Sequence, residues 1–159
     1  MNTRRTGFVE KIWGRILHLH FRMTRGLTLG VRAVVMNDNG EVLLVRHRYT
    51  SGWHFPGGGV EPNEAAERAL ARELEEETGL RLVGMPKLHG VFFNYSVSKH
   101  DHVLVYLCET AGEISANSHS PEIASASFFE LGRLPDSIDR GSKHRLEEIT
   151  EQRQIAKKW

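Results

Sequence analysis

The sequence predicts an α/β domain preceded by a basic amphipathic helix. Apolar, β-branched segments flank one Ala/Leu/Glu-rich segment of helical periodicity, a second helical pattern closes the chain, and no Pro/Ser-rich linker interrupts it. With 159 residues, 40% of them hydrophobic, the chain can bury one proper core and needs no second one.

Residues 1–25 carry Arg4, Arg5, Lys11, Arg15, Arg22 and Arg25 against Glu10 alone. Phe8, Ile12, Trp13, Ile16, Leu19 and Met23 recur at near-helical spacing, which predicts a helix over about residues 7–24. Its apolar stripe is expected to pack on the domain or across a homodimer; contact with an anionic membrane surface is the alternative. The main domain is expected over residues 26–159.

The aliphatic run 27–36 reads as a strand, Asn37-Asp38-Asn39-Gly40 as a tight turn, and residues 41–47 as its antiparallel partner, so a hairpin is predicted. Arg46, His47 and Arg48 end that strand, where basic groups meet either phosphate or solvent. A short strand at Trp53-His54-Phe55-Pro56 then leads into Gly57, Gly58 and Gly59, which let backbone approach a ligand without Cβ interference.

From Asn63 the residues are strong helix formers, with Asn63 as the expected N-cap and Gly79 as the left-handed terminator. At about 100° per residue, Glu73, Glu76 and Glu77 share a face, with Ala66 and Ala69 beneath. Three adjacent carboxylates repel one another unless a cation sits among them, and a hard divalent ion such as Mg²⁺ suits an all-oxygen set. A solvated acidic stripe is the ordinary alternative for three glutamates alone.

Beyond the helix, residues 80–83 and 88–97 read as strands separated at Met85-Pro86, and residues 102–109 as another. His100, Asp101 and His102 alternate in direction at a turn and cannot converge on one ion. Cys108, the single cysteine, lies in an apolar run and reads as a buried structural thiol. Residues 113–121 are polar and turn-rich. A last strand follows, and residues 142–157 read as a closing helix with Leu146, Ile149 and Ala156 on one side and a solvated charged face.

The spacing around the glutamates carries more. From Gly58 there are five residues to Glu64 and seven more to Arg72, followed by Arg72-Glu73-Leu74-Glu75-Glu76-Glu77-Thr78-Gly79-Leu80. This resembles the Nudix box, G-x5-E-x7-R-E-U-x-E-E-x-G-U with U aliphatic, at every defined position. The resemblance implies an α/β/α sandwich around a mixed β-sheet. It also implies that Glu73, Glu76 and Glu77, with the carbonyl of Gly57, hold divalent cations, Mg²⁺ or in its place Mn²⁺. Glu64 and Arg72 would form a buried pair that orients loop and helix. Glu122 is the candidate for a further acid or base, whereas Ser125 stands where many family members have another acid. The catalytic set expected on this basis is Glu64, Arg72, Glu76, Glu77 and Glu122.

The implied reaction is hydrolysis of a nucleoside diphosphate linked to a further group X, by water attack on phosphorus. A non-catalytic nucleotide sensor is the competing reading, although such modules commonly lose box glutamates that are all present here. RNA 5′-pyrophosphohydrolase activity is a second alternative, and the lone Cys108 in an apolar strand argues against a cysteine-dependent prenyl diphosphate isomerase. Phe92, Phe93, Asn94 and Tyr95 fall in the region that family members use for selectivity. The expected partner is a small nucleotide or other diphosphate, because a formal net charge of +1 makes no case for nucleic acid. No apolar run reaches the roughly 18 residues of a membrane span, and one cysteine allows no internal disulfide, so a cytoplasmic setting is expected.

Overall fold

The computed structural model describes residues 26–115 and 120–159. The helix expected within residues 1–25 lies outside the described residues, as do residues 116–119 of the polar loop. Among the described residues six strands, β1 (Thr28–Val35), β2 (Glu41–His47), β3 (Trp53–His54), β4 (Arg81–Phe93), β5 (Asp101–Ala111) and β6 (Ile123–Glu130), combine with two α-helices, α1 (Ala66–Thr78) and α2 (Arg140–Thr150).

The strands form two three-stranded sheets. One is mixed, with β5 between a parallel β1 and an antiparallel β4. The other is antiparallel, with β2 between β3 and β6. The predicted β1/β2 hairpin is therefore corrected: its turn is present, but its strands belong to different sheets. Asn37 Oδ1 accepts from the N–H groups of Asn39 and Glu41, and one bridge joins Met36 to Val42 before the strands part. The second edge of β1 is already taken by the glycine loop. Val31 N–H donates to Gly58 O (2.9 Å), Ala33 N–H to Pro56 O (2.8 Å), and Val60 N–H to Leu29 O (2.8 Å). This satisfies the backbone groups that β2 would otherwise have met.

The core has two halves. Val31, Ala33, Val35, Leu43 and Tyr106 pack with Ala69, Leu70 and Leu74 of α1. Val34, Val42, Leu44, Phe55, Phe92 and Val105 pack with Leu146 of α2. Alternation along β1 sends odd and even positions to opposite faces, so the helices cover opposite sides. Among the described residues no helix is long and apolar enough to cross a membrane.

Helix α1 starts later than predicted. Asn63 adopts a left-handed conformation (φ 66°) and does not cap; the N-cap is Ala65, without a side-chain bond. The Glu61-Pro62-Asn63-Glu64 segment closes on itself instead, with Glu64 N–H on Glu61 O (3.1 Å) and Glu61 N–H on the Glu64 carboxylate (3.0 Å). Gly79 ends the helix as predicted (φ 79°), its N–H donating to Glu75 O.

The two strands expected on either side of Met85-Pro86 are one strand, β4, with register shifts near Gly84 and His89. A bulge absorbs Pro86, which has no N–H to give a ladder. The closing helix is shorter than predicted. Asp139 caps it by accepting from Ser142 N–H (2.8 Å), and it ends at Thr150, so Ala156 belongs to an extended tail. That tail runs along β4, with Phe93 N–H on Lys157 O and Trp159 N–H on Phe93 O. Nor is the charged face of α2 wholly solvated. Arg145 is 1% exposed, lies over the Phe92 ring, and bonds Glu148 (2.7 Å) and the Lys158 carbonyl (3.0 Å). Glu148 also accepts from Ala156 N–H (2.8 Å), so α2 holds the tail through buried charge.

Candidate active site

The glycine loop and α1 bring the box residues together. The Arg72 guanidinium is the hub: Nε and Nη2 grip the Glu64 carboxylate at 3.0 and 3.1 Å, Nη1 reaches Glu73 at 2.8 Å and Glu76 at 3.5 Å, and Nη2 also donates to Gly59 O. This fork holds the Glu64 carboxyl down at about 2, the Arg72 bond being the main cause and the Glu61 N–H the next. Arg72 is correspondingly raised, chiefly by the bond to Glu64. The pair is not buried as expected, since the Arg72 side chain is 29% exposed and that of Glu64 12%.

Glu77 differs from its neighbours. It is buried, accepts from Gly57 N–H at 2.8 Å, and lies 3.6 Å from His47 Nε2. Burial pushes its carboxyl up to about 7; the Gly57 N–H and the charge of Arg32 oppose the rise, and the charges of Glu73 and Glu122 add to it. His47 is lowered, first by burial, then by Arg32 and His54, against the opposing pull of Glu122. Glu122 is exposed at the start of β6, close enough for its charge to act on both groups. Ser125 lies opposite Arg46 on the β2/β6 ladder.

Among the described residues, no three carboxylate, imidazole or thiol groups already converge as a cation cage. The donor chemistry nonetheless suits a hard divalent ion: Glu73 and Glu76 both reach Arg72, Glu77 reaches the Gly57 N–H, and these donors are all oxygens. Gly58 forms part of this cradle, because a Cβ there would fall on the Glu73 carboxylate. Arg72, in contact with both Glu73 and Glu76, shows that these two face common space.

A family model for the NUDIX domain matches residues 26–149. The chain belongs to the Nudix family. A relative in Bacillus subtilis (strain 168), provisionally named an 8-oxo-dGTP diphosphatase, is 34% identical over 108 residues, covering 68% of this chain and 70% of its own. An RNA pyrophosphohydrolase of Coxiella burnetii is 44% identical over 71 residues, covering 44% of this chain but only 31% of its own. Among solved structures, a MutT NUDIX hydrolase from Burkholderia pseudomallei superposes with TM-score 0.66 at 29% identity, covering 77% of this chain and 97% of the other.

Other expectations for this Nudix hydrolase fare differently. Asp101 is occupied structurally, accepting from Thr28 (2.6 Å) and Asn94 (2.8 Å), so its carboxylate ties the turn to β1 and to the end of β4. Cys108 is buried and pushed up to about 12 by burial, as befits an inert thiol. Of the selectivity candidates, Phe92 belongs to the core, whereas Tyr95 is exposed with the Lys158 ammonium 5.1 Å from its ring. Arg32 escaped the sequence reading: it donates from Nη1 to the Gly57 carbonyl. The signal was present, since Arg32 is the sole charge within the strand TLGVRAVV. His47, read as a basic group that meets phosphate or solvent, faces Glu77 instead.

Arg72→Ala is expected to act through order in the loop and not through a lost substrate contact. The Tm should fall by several degrees and kcat should drop, with KM within a few-fold of the parent, because Glu64, Glu73 and Glu76 lose their common partner. An unchanged Tm with a greatly raised KM would contradict this.

Proposed function

We propose that this Nudix pyrophosphohydrolase requires Mg²⁺, with Mn²⁺ as a substitute, and cleaves a small nucleoside diphosphate linked to a group X. The observation that supports the reading is the Arg72 fork, which reaches both Glu73 and Glu76, beside a glycine loop whose Gly57 N–H holds Glu77. Glu73, Glu76, Glu77 and the Gly57 carbonyl would hold the ion, which when bound neutralises phosphoryl charge and acidifies the attacking water. Arg72 keeps Glu73 and Glu76 aimed at shared space, and Glu64 keeps Arg72 in place. The Gly57 N–H and burial keep Glu77 facing the loop. Water adds to phosphorus as one anhydride P–O bond breaks, the bridging oxygen leaves on the departing phosphate, and Glu122 is the group proposed to take the water's proton.

A second substrate reading, the 5′ end of RNA, draws on the cleft of about 600 Å³ lined by Arg46, His47, Arg48 and Tyr49 beside Glu77. Basic groups with an exposed aromatic suit a phosphate chain followed by a base. The test is a screen with Mg²⁺ against nucleoside triphosphates including 8-oxo-dGTP, nucleotide sugars, dinucleoside polyphosphates and 5′-triphosphorylated RNA. Turnover of one class, abolished by excess EDTA, is expected. Full turnover in EDTA would overturn the metal requirement, and inactivity on every class would favour a nucleotide sensor.

A further inference from the structure

Arg32 projects from the middle of β1, between the two residues whose amides hold the glycine loop. It is half-buried, and among the described residues it makes no ion pair with a carboxylate. Its hydrogen bond goes to the Gly57 carbonyl, while the N–H of the same residue goes to Glu77 Oε2 at 2.8 Å. Gly57 is thus held between a cation and an anion, and the cation sits on the oxygen assigned above to the divalent ion.

Both cannot share that oxygen without cost. A guanidinium and a divalent ion on one carbonyl are like charges only a few ångströms apart, in a setting where water screens poorly. The guanidinium is on a flexible stem and can leave; the carbonyl cannot, because the Gly58 carbonyl beside it is bonded to Val31 N–H. A displaced guanidinium beside a diphosphate site has an obvious second partner, since its fork of donors matches phosphate oxygens.

We propose that Arg32 is a positioning residue with alternating partners: it holds the Gly57 carbonyl in the metal-free protein, yields it to a divalent cation, and passes to the phosphate oxygens of the substrate. This rests on the metal-dependent reading above. Its consequence is a coupling between metal and diphosphate. Arg32 weakens metal binding while the diphosphate is absent and ceases to oppose it once phosphate has taken the guanidinium.

Calorimetric titration of the full chain with Mn²⁺, with and without methylenediphosphonate as a non-hydrolysable diphosphate, tests this. In Arg32→Ala, Mn²⁺ affinity without diphosphate should rise about tenfold, the gain from adding diphosphate should shrink, and KM should rise by about tenfold, a size consistent with removing one unit charge from a partly screened site. Arg32→Lys, which keeps the charge, should retain the parent's Mn²⁺ affinity. Arg32→Gln, which keeps a donor to the carbonyl, should shift in the same direction as Ala and serves if the alanine variant does not fold. Opposite signs for metal and substrate are the signature, because a merely structural arginine would lose both together. Equal or weaker Mn²⁺ binding in both neutral variants overturns the proposal. Glu73→Gln separates the two levels: if the parent binds Mn²⁺ and Glu73→Gln does not weaken it, the metal assignment itself fails and the Arg32 proposal with it.

Discussion

Glu77→Gln should lower kcat by about 10²–10³-fold while raising the stability of the metal-free protein above neutral pH. The catalytic loss follows from removing a full negative charge where the ion is to be held, and it should fall on kcat more than on KM because the lost interaction serves charge developing at phosphorus. The stability gain follows from burial. In the folded chain the Glu77 carboxyl titrates at about 7 against an ordinary value of 4.5, so between these values the native state holds a proton that the unfolded state has lost. Stability from this group is therefore full below about pH 4.5 and falls as pH rises to about 7, by roughly 3 kcal/mol across the window. Glutamine keeps an acceptor for Gly57 N–H, and its amide can donate to the neutral His47 imidazole, whose own protonation is disfavoured by burial and by Arg32. The variant's Tm should thus stay level across that window while the parent's declines. Melting curves from pH 4 to pH 8, beside kcat and Mn²⁺ affinity, decide the matter. Near-normal turnover at limiting Mg²⁺ would remove Glu77 from the metal site, and parallel pH slopes would remove the buried charge as their cause.

Gly57→Ala is expected to be the most disruptive change at the site, and its neighbours should grade it. Gly57 has φ 142°, and a Cβ there would run into the Val31 carbonyl and the Arg32 Cα. Both obstacles are backbone of β1, so the loop must come off the strand, with a loss of more than about 3 kcal/mol and of nearly all activity. At Gly58 a Cβ meets only the end of the Glu73 side chain. Gly58→Ala should therefore keep most of the Tm and lose metal affinity. Gly59 has open space around its Cβ position and no positive φ, so Gly59→Ala should stay within about 0.5 kcal/mol of the parent. Equal Tm values for all three variants would refute the loop's docking on β1.

Much of this grading was invisible in the sequence, where three glycines in a row look alike. What could be read was local: the periodicity of α1, its end at Gly79, the strand segments, and a spacing that put Glu64, Arg72, Glu73, Glu76 and Glu77 in one neighbourhood. What could not be read was which edges pair. The Asn37–Gly40 turn has good hairpin chemistry and forms, yet β1 gives its edge to residues 56–60, a non-local choice that turn propensity does not encode. The tail was misread because residues 151–157 have helix-compatible composition, while Gln152 turns left-handed (φ 51°) and Glu148 takes the Ala156 amide. Arg145 looked like a surface charge because a helix wheel carries no information about a tail folding over it.

The docking of the loop on β1 also makes that strand a gauge of how often the site breathes. Alternate amides along β1 point to opposite edges, those of Val31 and Ala33 into the loop and the ones between them toward β5. Solvent deuterium can reach the first set through a local excursion that lifts residues 56–60, whereas the second set waits for the sheet itself to open. The difference in protection between neighbouring residues of one strand therefore reads the free energy of loop lifting directly. It is an internal clock for the site that needs neither a substrate nor an engineered probe.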